Sequence, residues 1–158
     1  SPDFIARAEE RARSRFHLNI APIGIGVPTF THQGIPVSHQ AFFAQADVIR
    51  ELAAEGPCVI VGRCADVVLK GRAKCLRVFL HAPLEYRVKR LMRTEGFEEK
   101  EARRLLRQTD RQRAAYYQYY TNRAWGMALH YHLCIDTSQS EAWAQELIAQ
   151  AFQRMREE

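Results

Sequence analysis

Gly56-Pro57-Cys58-Val59-Ile60-Val61-Gly62-Arg63-Cys64-Ala65-Asp66 is the stretch on which the fold turns. Gly-Pro stops whatever precedes it, four apolar residues follow without a break, and a Gly-Arg step leads into polar ground. A short continuous apolar run reads as a strand buried on both faces, the habit of a parallel sheet. Working outward, Leu76-Arg77-Val78-Phe79-Leu80 is a second strand and Leu133-Cys134-Ile135-Asp136 a third. Helical patterns separate them. From Phe42 to Glu55, residues Phe42, Ala46, Ile49 and Ala53 share a face before Gly56 ends the helix. Leu84 to Arg93 follows Pro83, which suits a first helical turn, and Glu98 to about Tyr120 opens on acidic residues that complement the helix dipole. A last helix starts near Glu141, with Trp143, Leu147, Ile148, Ala151, Phe152 and Met155 on one face, and Ser138 and Glu141 spaced as a capping box. Strands alternating with long helical connections predict an α/β fold with a parallel sheet and right-handed crossovers.

Upstream, residues 3–16 read as a polar, Arg/Glu-rich helix, and residues 17–39 lose helical regularity among Pro22, Gly24, Gly26, Pro28, Gly34 and Pro36. The organisation expected is an N-terminal helix and irregular segment over residues 1–41, then a core over residues 42–158.

The 158 residues, 47% of them hydrophobic, suffice for one core. No apolar stretch reaches the roughly 18 residues of a membrane span, and Ser1-Pro2-Asp3-Phe4 has no signal-like pattern, so a cytoplasmic location and no membrane partner are expected. Cys58, Cys64, Cys75 and Cys134 lack C-x-x-C spacing; Cys58 and Cys134 sit in apolar runs where a buried thiol is at home, and no metal site is expected. The net charge of +5 attracts polyanions, nucleotide phosphates as much as nucleic acid. Arginines dominate Arg87 to Arg113, whereas the C-terminal segment is balanced by Glu141, Glu146, Glu157 and Glu158.

Open α/β sheets bind ligands beyond the carboxyl ends of their strands. The residues there are Gly62-Arg63-Cys64-Ala65-Asp66, His81-Ala82-Pro83 and Asp136-Thr137-Ser138. Gly62-Arg63, then Val67-Val68-Leu69, then Leu76 to Pro83 with Glu85, Arg87 and Arg90 behind it, resembles the middle of cytidylate kinases, where a G-R-D-x-G segment precedes a strand and an A-(S/P)-x-E-x-R-x-x-R helix start. Asp110-Arg111-Gln112-Arg113 resembles their D-R-x-R lid, Ile135 to Ser138 their last strand and its exit, and Val48-Ile49-Arg50-Glu51-Leu52 their V-R-x-x-L helix. The string from Gly56 to Asp66 looks like the cytidylate kinase-like branch, and the likeness covers roughly residues 42–152.

The resemblance implies a nucleoside monophosphate kinase core of the P-loop type with a helical lid at about residues 98–125, transferring the γ-phosphoryl group of ATP, with Mg²⁺, to CMP or a related monophosphate. It places Arg50 and Arg63 at the phosphate or ribose of the acceptor, with Asp66 the nearest carboxylate to the motif's acidic position, which here is Cys64. Asp110 and Arg113 fall to the acceptor base or the lid. Arg103, Arg107 and Arg111 recur every four residues and would line one helix face, a stripe able to close over a triphosphate; the resemblance makes Arg63, Arg107 and Arg111 the catalytic cations. Planar, permanently charged guanidinium groups suit phosphate.

Each residue also has an ordinary reading. The ordinary reading of Arg63 is a surface arginine in a tight turn, of Arg50 a solvated helix residue, and of the stripe a basic face neutralised by Glu101 and Asp110, with Asp110 holding Arg107 or Arg113 three residues away. Cys64 reads as a small buried residue rather than a reactive thiol. Tyr116, Tyr117, Tyr119, Tyr120 and Trp125 suit a core or interface as well as a stacked base. None of the six histidines has a convincing partner.

The string G-x-x-x-x-G-K-[ST], whose amides and lysine cradle donor phosphates, does not occur, and Gly24-Ile25-Gly26 lacks the lysine and the preceding strand. The family's loop follows its first strand, so both are expected upstream of Ser1. The 158 residues alone are then expected to be inactive, with a possible homodimer covering the exposed sheet edge. The alternative is a non-catalytic nucleotide-binding or dimerisation module. A basic nucleic-acid-binding domain is third, without a recognised motif behind it.

Overall fold

The computed structural model describes residues 37–72 and 74–157. The helix expected over residues 3–16 and most of the irregular segment lie outside them. The chain divides into two compact units, Ser1–Val68 and Leu69–Glu158.

In the first unit, α1 (Val37–Glu55) begins five residues before the periodicity announces it and buries Ala46 and Ile49, two of its four expected apolar positions. The run from Cys58 to Val61 does not form the buried strand expected of it. It belongs to no sheet among the described residues, Cys58 is exposed, and Val59 and Val61 are 72% and 87% exposed. Apolar composition favours a strand only where a neighbour takes up its amides and carbonyls, and the described sheet contains no such neighbour. A turn through Gly62, Arg63 and Cys64 then leads into the single-turn helix α2 (Ala65–Val68), which packs on α1.

The second unit runs β1 (Val78–His81), α3 (Leu84–Glu95), α4 (Glu99–Thr121), a 3₁₀ turn (Ala128–His130), β2 (Leu133–Asp136) and α5 (Glu141–Glu157). The strands pair in parallel, Val78 opposite Leu133 through His81 opposite Asp136, with α3 and α4 in the crossover. The expected α/β character holds: the chain is mostly helical with a small, two-stranded parallel sheet. β1 starts two residues later than the apolar pattern, because Arg77 is occupied ahead of the ladder: its amide donates to His132 Nδ1 and its carbonyl accepts from the His132 amide.

Val88 of α3, Ala102 and Tyr117 of α4, Ile135 of β2 and Ala144 of α5 are buried. Cys134, expected inside, is exposed, since a two-stranded sheet leaves much of its surface open. α3 ends on Gly96, left-handed at φ 74°, whose amide donates to the Met92 carbonyl. The N-terminal cap of α5 is Ser140, whose Oγ accepts from the Trp143 amide at 3.2 Å, and not Ser138, whose amide donates to Asp136 Oδ1. Phe79 is wedged between Trp125, edge-on at 5.5 Å, and Tyr131 at 5.1 Å. Gly126 is fixed by the same contact, since a Cβ there would meet the Phe79 ring at 2.9 Å.

Candidate functional site

Arg63 stands in an unusual backbone. Gly62, Arg63 and Cys64 all take positive φ, at 73°, 56° and 56°, a conformation that costs a non-glycine residue about 1 kcal/mol or more. Two hydrogen bonds brace it: the Ala65 amide donates to the Gly62 carbonyl at 3.1 Å, and the Val67 amide to the Cys64 carbonyl at 2.9 Å. The turn exposes Arg63 while burying Cys64. Burial, then Asp66, pushes the Cys64 thiol up to about 11, against the smaller opposing pull of Arg63, so this sulfur is an inert packing group as its sequence context indicates. Asp66 is half-buried in the first turn of α2. Arg50 is exposed on α1 and already paired with Asp47, one turn back, at 2.7 Å.

The second unit sorts the remaining arginines. Glu85 and Arg87 stand in the opening turn of α3, just past the carboxyl end of β1, and both reach α4. Arg103 donates through Nη2 to Glu85 Oε2 and to Glu99 Oε1, each at 2.8 Å. That pairing raises the Arg103 pKa and lowers that of Glu85. Arg87 grips Asp110 end-on, Nη1 to Oδ1 at 3.0 Å and Nη2 to Oδ2 at 2.9 Å. Asp110 therefore holds neither Arg107 nor Arg113 but a residue of the preceding helix. Arg107, Arg111 and Arg113 are exposed and make no hydrogen bond or ion pair among the described residues. The ion pairs from α3 fix the 103–110 stretch of α4 at the carboxyl end of the strand pair, where α/β proteins receive ligands.

Sequence reasoning names these arginines without sorting the paired from the exposed. It misses that Arg103 and Asp110 are taken, because Glu85 and Arg87 enter it only as part of a motif; the E-x-R step opening a helix before an arginine-rich one was the available signal. Tyr116 and Tyr119 both pack on Tyr120, at 4.7 and 5.0 Å, while Tyr117 is buried. The aromatic run thus mixes core with surface. His132 is engaged by Arg77, and no group of three His, Cys, Asp or Glu that could hold a metal ion occurs among the described residues. Arg107 and Arg111, four residues apart, share a helix face suited to phosphate, whereas Arg113 lies on another face; no described cluster fits a protein-held Mg²⁺. No described helix is long and apolar enough to cross a membrane.

Among solved structures, the chain is similar to an uncharacterized protein from Eubacterium ventriosum, at 26% identity and a TM-score of 0.70, over 75% of this chain and 68% of that one. No curated protein matches it significantly. The family model of cytidylate kinase-like proteins matches residues 3–139. With most of its length under that model, the chain belongs to the cytidylate kinase-like family.

Proposed function

We propose that this chain carries the acceptor side and lid of a cytoplasmic nucleoside monophosphate kinase that transfers the γ-phosphoryl group of ATP to CMP or a related monophosphate. The observation that carries the reading is the set of three exposed, unpaired arginines, Arg107, Arg111 and Arg113, on a helix braced at the carboxyl end of the parallel strands. Phosphoryl transfer needs little covalent help from a protein; it needs phosphates held in line and their charge neutralised. In this reading Arg107 and Arg111 take the donor phosphates, Arg113 the acceptor side, and Arg63 the acceptor phosphate. Arg50, Asp66 and Arg103 are supporting residues, the first and last tied to carboxylates.

The test is ATP-dependent phosphorylation of CMP, dCMP, UMP and AMP, run on residues 1–158 and on a protein that also includes a strand and G-x-x-x-x-G-K-[ST] loop ahead of them. Turnover by the longer protein alone, fastest with a cytosine nucleotide, is expected. Inactivity of both would favour a non-catalytic nucleotide-binding module.

A further inference from the structure

Asp110 lies three residues from Arg107 and three from Arg113, a spacing at which acid and base meet on a helix. This protein uses such pairings elsewhere. Asp47 binds Arg50, three residues on, at 2.7 Å, and Glu99 binds Arg103, four residues on, at 2.8 Å. Asp110 departs from that habit, because both its oxygens are taken by the Arg87 guanidinium from α3. The grip carries a cost beside its bracing of the two helices. Arg87 Nε is buried and meets no acceptor among the described residues, a cost that a side-on grip would have avoided.

We propose that Arg87 is a guard residue: by occupying Asp110 it keeps Arg107 and Arg113 free for the phosphate groups of a nucleotide. The inference rests on the kinase reading for the identity of that ligand, but not for its chemistry, which is that of any di- or triphosphate. Without Arg87, the Asp110 carboxylate turns to Arg113 or Arg107 and neutralises a cation the ligand needs. Arg87 is in this sense a positioning residue that acts through Asp110.

The signature is a suppressor. Arg87→Ala should weaken binding of ADP and of inorganic pyrophosphate about tenfold or more, the scale of one lost charge-assisted contact. Adding Asp110→Ala to Arg87→Ala should restore most of that affinity, because the competing carboxylate is gone. Titration calorimetry on the 158-residue chain reads both, with thermal melting alongside to register any loss of the brace between α3 and α4. A double variant that binds as weakly as Arg87→Ala, or an Arg87→Ala variant that binds as tightly as the parent, overturns the guard role. A parent chain that binds neither probe overturns it as well. The suppressor pattern with pyrophosphate, in a protein that never phosphorylates a monophosphate in any length, would sink the kinase reading and leave the guard standing.

Discussion

Two residues show how a local backbone requirement exposes a chemical group. Arg63 projects from a turn in which three successive residues hold positive φ, and such strain persists only where the surroundings enforce it. If the cation serves the acceptor phosphate, as proposed, Arg63→Ala in a form of the protein that phosphorylates monophosphates should cost roughly 2 kcal/mol in kcat/KM, the value of a hydrogen bond to a charged group. Steady-state kinetics with CMP decides it, and unchanged constants would return Arg63 to the ordinary surface. His132 makes a different demand. Its Nδ1 accepts the Arg77 amide just ahead of the strand ladder, and partial loss of hydration, then the neighbouring Arg77 guanidinium, lowers the pKa of this largely exposed ring from the usual 6.5. A histidine whose folded pKa is depressed stabilises the protein fully above the unfolded value and loses that contribution as pH falls below it. The melting temperature should therefore drop on acidification below about pH 6.5. In His132→Asn, which keeps an acceptor but does not titrate, that part of the pH dependence should vanish.

At the level of elements, α4 is one helix with two electrostatic characters. Its N-terminal half is tied to α3 through Arg103 and Asp110, with Arg107 between them feeling the Glu85 carboxylate, whereas Arg111 and Arg113 carry like charge and make no ion pair among the described residues. Like charges on one helix repel until an anion arrives, so ligand binding should order the free part more than the braced part. Hydrogen exchange with and without ADP and CMP together should show protection already high over residues 99–110 and rising on binding over residues 111–121. Equal protection of residues 111–121 in both states would leave the stripe a solvated face. The reach of the helix was legible in its sequence, since Glu99 to Thr121 differs from the expected bounds by a single residue at each end. Which arginines remain available was not, because pairing across helices depends on where Glu85 and Arg87 come to lie, and no spacing within α4 reports that.

For the whole molecule, the same limit explains the largest departure from the sequence reading. Leu133 to Asp136 forms the strand its apolar run promises because β1 lies beside it, and Cys58 to Val61, no less apolar, forms none. Composition marks a segment as fit for burial, and only a partner makes it a strand. Val59 and Val61 are instead among the most exposed large apolar residues of the described chain. Exposed apolar side chains such as Val59 and Val61 invite association with another copy, and burying apolar surface releases about 25 cal/mol for each Å² removed from water. The 158-residue chain should therefore self-associate as its concentration rises, which sedimentation velocity would read as a growing dimer fraction. Lysine at both positions, Val59→Lys with Val61→Lys, should hold the chain monomeric. Because the two side chains are largely in solvent already, that change should shift unfolding stability by no more than about 0.5 kcal/mol. A chain that stays monomeric at every concentration, or a lysine variant that dimerises as the parent does, would mean that Val59 and Val61 are not where copies meet.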